Sequence, residues 1–293
     1  YMTSAHVQNS HPLPPVFLPA LVPTLVGALP QDSLMRLAPI CSLQVVPAGR
    51  VIWRAGDMPG MTGFIISGYL RLQCHGREGN RQILTLLRPG DLVGELPGRT
   101  ARHTLEASTE TRICRVADRA FAALMHEDAA LRRLVHRLCI ARRDQLRWLT
   151  WAVGALDAEE RICALLLAAL DYMPVTRMAD GAPLLTIDLP RADIADLLGT
   201  SVETISRVTN RLAATGVIDI VSARQFRIRD LERLGRMGCQ TPPPAPDIGA
   251  PLPPDPARAG RPRPVLLRDA PLADRARLRP PPRGTGQPRP AFP

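Results

Sequence analysis

The sequence predicts an α+β chain in three parts: an N-terminal antiparallel β-roll, a long dimerisation helix and a C-terminal winged helix-turn-helix. Three observations predict it. Residues 44–116 carry short apolar runs punctuated by glycine. Residues 131–152 carry a stripe spaced alternately by three and four, and residues 191–212 place small, turn and apolar side chains at the separations that two crossed helices require. With 293 residues, 45% of them hydrophobic, the chain is long enough for two domains of ordinary size with buried cores.

Taken in order, residues 1–20 are polar and proline-containing, which predicts a flexible arm. A domain over 21–117 follows. It opens with a helical pattern through Leu25, Leu29, Leu34 and Leu37 that Pro30 should split into two short helices. The runs Val51-Ile52-Trp53, Phe64-Ile65-Ile66, Leu70-Arg71-Leu72, Ile83-Leu84-Thr85-Leu86 and Ile113-Cys114-Arg115-Val116 have strand length. Between them lie Pro47-Ala48-Gly49, Ala55-Gly56-Asp57, Ser67-Gly68, Glu78-Gly79-Asn80 and Pro89-Gly90-Asp91, where glycine accepts a positive φ at a reversal. Many short strands with such turns predict a small β-roll.

A single helix is expected over 118–154, with Leu131, Leu134, Leu138, Ala141, Gln145, Trp148 and Ala152 on one side. A stripe of that period is a seam for a partner helix or an intramolecular core face. Its place between two compact regions, with little internal surface to cover, favours a homodimer seam. Asp157-Ala158-Glu159-Glu160 starts a further helix, and a domain is expected over 155–236, with 173–183 as a loop. The last segment, 237–293, is a proline- and arginine-rich tail that cannot build a core and is expected to be disordered. It reads as an auxiliary polyanion contact or as a plain appendage.

The chain has no lysine, and its formal charge is +10. Nine arginines against four aspartates in residues 240–293 carry half of that excess, so the globular part is only mildly basic and charge alone decides little. The longest apolar runs are too short to cross a bilayer, no secretion signal opens the chain, and the six cysteines are scattered. No membrane, a cytoplasmic setting, no disulfide framework and no metal site are therefore expected. Nothing resembles a phosphate-binding glycine loop, a histidine-rich metal pattern or a nucleophile elbow, so no enzyme is expected. A cupin-like metal enzyme is the remaining alternative of that class.

In residues 191–212, Ala195 is small where two helices approach, Gly199 sits at the turn, and Ile194, Leu198, Ile205, Val208 and Leu212 supply the buried sides. The second helix should run from Val202 to about Ala213, capped by Ser201 or Thr200. Its outer N-terminal face then carries Val202, Glu203, Ser206 and Arg207, the face that enters a major groove in this motif. Arg207 can fork onto guanine, Glu203 can accept from a cytosine amino group, and Ser206 can serve either base. A plain surface pair of Glu203 with Arg207 is the bland alternative. Thr200, Ser201, Thr209, Asn210 and Arg211 suit phosphate contacts, which set register without reading bases. Residues 216–221 and 225–228 read as a two-stranded wing.

The order of parts, with Ala158-Glu159-Glu160-Arg161 and Val202-Glu203-Thr204-Ile205-Ser206-Arg207, resembles the Crp/Fnr superfamily over roughly residues 25–236. The Glu203, Ser206 and Arg207 trio resembles its Fnr/FixK branch. The likeness implies a jelly roll of the cyclic-nucleotide-binding type as sensor domain. It also implies a homodimer on TTGA-type inverted half-sites of double-stranded DNA, and activation through RNA polymerase. Gly94, Glu95, Arg99 and Thr100 are the candidate effector pocket, although the stretch between Glu95 and Leu105 is short for the family's cyclic-nucleotide pattern. The clustered cysteines that hold an iron-sulfur cluster in oxygen-sensing relatives are absent, so no such cluster is expected. Haem is left open by Cys74, His75, His103 and His126. A FixK-like regulator can act without a small ligand, its control then lying in abundance, proteolysis or thiol oxidation; Cys114 and Cys163 read as small core residues, with a thiol switch as the alternative.

Overall fold

The computed structural model describes residues 10–12, 27–95 and 99–238. Strand β1 (Ser10–Pro12) pairs antiparallel with β2 (Cys41–Val46), so part of the segment expected as a free arm instead forms a sheet edge. Helix α1 (Gln31–Leu37) starts directly after Pro30, and residues 27–28 are helical on its other side, which is the expected split. Leu25 lies outside the described residues.

Strands β3 (Val51–Trp53), β4 (Met61–Ser67), β5 (Leu70–His75), β6 (Arg81–Leu87), β7 (Leu92–Val93), β8 (Thr104–Ala107) and β9 (Thr111–Ala117) complete the roll. They form two antiparallel sheets, ordered β1-β2-β9-β4-β7 and β3-β8-β5-β6. Val46, Trp53, Ile65, Leu105 and Ile113 pack together in the roll. Phe64, Cys114 and Val116 belong to a second cluster with residues of α1 and of the helices that follow the roll. Strands β4 and β9 thus feed two cores, which is why they read as apolar runs rather than as strict alternation. At Gly68, φ is +82° and a Cβ would collide with the Glu110 carbonyl, so the β4–β5 reversal requires glycine.

The helix expected over 118–154 is two helices, α2 (Asp118–Glu127) and α3 (Ala129–Ala155). Asp128 separates them. Its carboxylate accepts from the Ala130 and Leu131 N–H groups at 2.8 and 3.0 Å, satisfying donors that a helix start leaves without partners.

The first half of the stripe assigned to a dimer seam faces this chain's own core. Leu131 and Leu134 are each 1% exposed and Leu138 is buried, all packed with Leu37, Phe64, Phe121 and Leu124. Further along α3, Ala141 and Gln145 are half-buried, and the Gln145 amide donates to the Leu86 carbonyl at 3.5 Å. Trp148 packs against the cluster of Ala152, Leu156 and Ala164. For Leu131, Leu134 and Leu138 the roll and the helices around it provide the internal surface that the sequence argument supposed missing.

Helix α4 (Ala158–Ala169) begins with a reciprocal capping box between Asp157 and Glu160. The segment expected as a loop over 173–183 contains β10 (Val175–Arg177), which pairs with β11 (Pro183–Thr186) around a turn at Gly181. Helices α5 (Arg191–Leu198) and α6 (Val202–Ala214) follow. Strands β12 (Ile218–Ile220) and β13 (Gln225–Ile228) form the wing, and α7 (Leu231–Met237) packs on α4. The sheet order is β10-β11-β13-β12. No helix among the described residues is long and apolar enough to cross a membrane.

Candidate nucleic-acid interface

The turn between α5 and α6 is set by Gly199 in the left-handed region, at φ +60° and ψ +46°. The Thr200 N–H closes it on the Ala195 carbonyl at 3.0 Å. Ile194, Ala195 and Leu198 of α5 and Ile205, Val208 and Leu212 of α6 are buried in one cluster, as their spacing predicts. Ser201 caps α6, its hydroxyl accepting from the Thr204 N–H at 3.1 Å. Arg161 braces the turn, donating to the Leu198 carbonyl at 3.0 Å and to the Leu156 carbonyl at 2.9 Å.

With its inner side committed, α6 turns Val202, Glu203, Ser206 and Arg207 outward, all exposed. Arg207 donates to the Thr204 hydroxyl at 3.3 Å. The structure divides the residues assigned to phosphate contact. Asn210 is exposed, Thr200 half-buried, and Ser201 exposed with its hydroxyl engaged as the cap. Arg211 is exposed and paired with Glu159 of α4. Thr209 is buried, and its hydroxyl donates to the Ile205 carbonyl at 2.9 Å, so it cannot reach a phosphate. Sequence reasoning missed the brace of the wing. Arg191 lies 5.2 Å over the Phe226 ring and donates to the Ala223 carbonyl, while Arg224 at the wing tip pairs with Asp188 at 3.0 Å.

Two family descriptions match the chain: "Crp-like helix-turn-helix domain" over residues 160–237 and "Cyclic nucleotide-binding domain" over 43–128. A protein of Rhizobium leguminosarum bv. viciae named "Probable transcriptional activator" is 31% identical over 214 residues, covering 72% of this chain and 87% of the relative. The chain belongs to the Crp/Fnr family of transcription regulators. The nitrogen fixation regulation protein FixK of Azorhizobium caulinodans is 31% identical over 59% of this chain and 69% of its own length. FixK2 of Bradyrhizobium japonicum shares the fold, with a TM-score of 0.62 at 22% identity over 68% of this chain and 97% of that structure. The protein is thus a DNA-binding regulator rather than an enzyme.

A cavity of about 710 Å³ lies between the roll and α3. Gly94 and Glu95 line it, whereas Arg99 and Thr100, expected beside them, are exposed and lie outside its lining. Most of its wall is apolar, including Trp53, Leu72, Leu105 and Leu146. Trp53 is buried and its indole N–H has no partner. None of Cys74, His75, His103 and His126 lines the cavity, and no group of His, Cys, Asp or Glu side chains among the described residues is arranged to hold a metal.

Proposed function

We propose that this Crp/Fnr regulator reads TTGA-type inverted half-sites as a homodimer in the cytoplasm, and activates transcription through RNA polymerase without requiring a small ligand. The observation that carries the reading is the uncommitted outer face of α6. There the Arg207 guanidinium can donate to both guanine acceptors, Glu203 can accept from a cytosine amino group, and Ser206 and Val202 complete the surface. Thr200, Ser201, Asn210 and Arg211 flank that face as phosphate contacts. The name of a relative, "Probable transcriptional activator", supports the choice of activation.

The homodimer is assigned to the face of α3 that the monomer leaves open. Leu146 and Trp151 are 36% and 40% exposed there, with Arg143 and Thr150 beside them. That face is rotated away from the stripe of Leu131, Leu134 and Leu138.

One observation favours a ligand-gated alternative, namely the largely apolar cavity between the roll and α3. The position of Arg99 and Thr100 outside its lining argues against a cyclic nucleotide as its occupant. Ligand-free protein should bind a TTGA-N6-TCAA duplex tightly and a scrambled duplex weakly at one fixed salt concentration, because phosphate contacts alone vary with salt. Arg207→Ala should cost about 1 to 3 kcal/mol on the specific duplex only. Equal weak binding of the unmodified protein to both duplexes would reject constitutive reading, and an unchanged affinity for Arg207→Ala would reject the base assignment.

A further inference from the structure

Five charged side chains meet where the roll touches α5, and none belongs to the reading face. Arg71 of β5 donates to Asp193 at 2.6 Å and also pairs with Glu106 of β8. Arg81 of β6 donates to Asp193 at 2.7 Å and to Asp196 at 2.6 Å. The Ser108 hydroxyl also donates to Asp193, and the Gln82 amide donates to the Asp196 carbonyl at 2.7 Å. Asp193 is 1% exposed and Arg71 is buried.

The halves also meet through apolar side chains, since Tyr69, Ile83 and Leu86 of the roll join the cluster that holds Leu198, Val208 and Phe226. That apolar contact joins the halves but fixes little of their angle, because apolar attraction is non-directional. Guanidinium forks onto carboxylates are directional. Asp193 and Asp196, three apart, share one face of α5, while Ile194, Ala195 and Leu198 lie on the side packed with α6. Gripping α5 at two points along its axis resists both sliding and rotation, and the packing of α5 on α6 passes that constraint to the reading helix. In this gripped arrangement Glu203, Ser206 and Arg207 are open to solvent.

We infer that Arg71 and Arg81 are positioning residues for DNA reading, which hold α5, and through it α6, at a fixed angle to the roll and the long helix. The inference rests on the dimeric reading above, in which two recognition helices must match two half-sites at one separation. Its signature is selectivity for the gap between half-sites, which a residue contributing only stability does not control.

The test uses the full chain, with duplexes whose two half-sites are moved apart or together one base pair at a time. The unmodified protein is expected to prefer one gap sharply. Arg81→Ala, checked for folding by circular dichroism, should lose about five- to tenfold at the best gap, the low end of coupling between separate sites, and should bind the other gaps nearly as well. Arg81→Lys, which keeps the charge but not the fork, should fall between the two. A folded Arg81→Ala that keeps the sharp gap preference overturns the inference, whether or not its overall affinity drops.

A second readout is independent of DNA. Spin labels at Met58→Cys and Val221→Cys, with Cys74, Cys139 and Cys239 replaced by serine, should give a narrow distance distribution that Arg81→Ala broadens. Equal widths overturn the inference even where specific DNA binding fails. Failure of the unmodified protein to prefer its specific duplex, with the broadening present, would instead reject the reading of half-sites.

Discussion

Cys163 lies buried on α4 with Glu159 and Asp157 nearby, and desolvation followed by those carboxylates pushes its thiol up to about 12. Cys114 is raised too, first by its hydrogen bond with Cys41 and then by burial. Both side chains are 0% exposed, and since the thiolate is the reactive species, burial and the raised pKa together assign them to packing rather than to control by oxidation. Alkylation of Cys114 and Cys163 at pH 8, followed residue by residue by mass spectrometry, should run more than about a hundredfold slower in the native protein than in denaturant. Comparable rates would restore a redox role. The sign of the linkage follows. The folded pKa of Cys163 exceeds the unfolded value of about 8.5, so its contribution to stability is complete below that pH and is lost as pH climbs toward about 12. Residues whose roles are set by neighbours in the chain were legible from sequence, as with Gly199 at the turn, Ser201 at the cap and Ile205 in the core. Asp193 and Asp196 were not, because their partners Arg71 and Arg81 lie more than a hundred positions away and nothing local marks an aspartate as bridged. Thr209 was misplaced for a related reason: a threonine in a helix can return its hydroxyl to the preceding turn, and spacing does not show whether it does.

Among the elements, α3 shows where periodicity stops being informative. Its three-and-four stripe correctly marks a packed face, yet the same pattern serves a partner helix or the chain's own roll. Only the three-dimensional arrangement tells them apart, and here Leu134 packs with Phe64 and Phe121. Two substitutions separate the faces. Leu134→Ala should lower stability by about 2 to 5 kcal/mol, read from urea midpoints, by leaving a cavity in that cluster. Leu146→Glu should leave the midpoint within about 0.5 kcal/mol, as surface changes do, and abolish the dimer in sedimentation. A persisting Leu146→Glu dimer would move the interface elsewhere. The β10–β11 hairpin escaped sequence reading because its first strand is only three residues long and wholly exposed, leaving no alternation to detect. The break at Asp128 was in principle visible, since an aspartate ahead of Ala129-Ala130-Leu131 is a favoured helix cap.

At the scale of the whole molecule, the roll and the winged domain share a core as well as charges. Tyr69, Ile83 and Leu86 of the roll belong to the same cluster as Leu198, Val208 and Phe226. The Tyr69 hydroxyl donates to the Tyr172 carbonyl at 3.3 Å, and Arg88 lies 4.7 Å over the Tyr172 ring. Unfolding should therefore be one cooperative event, with coincident transitions by tryptophan emission and far-ultraviolet circular dichroism. Two separated transitions would show that this shared core is too weak to couple the halves. The three indoles are distributed unevenly: Trp53 on β3 and Trp148 and Trp151 on α3, with none from α4 through α7. Two of them, Trp53 and Trp151, line the cavity. The protein is consequently its own optical probe. A compound entering beside the roll changes the colour or brightness of the native fluorescence directly, whereas a duplex docking on α6 meets a spectroscopically dark surface and is seen only when its arrival is transmitted to the long helix.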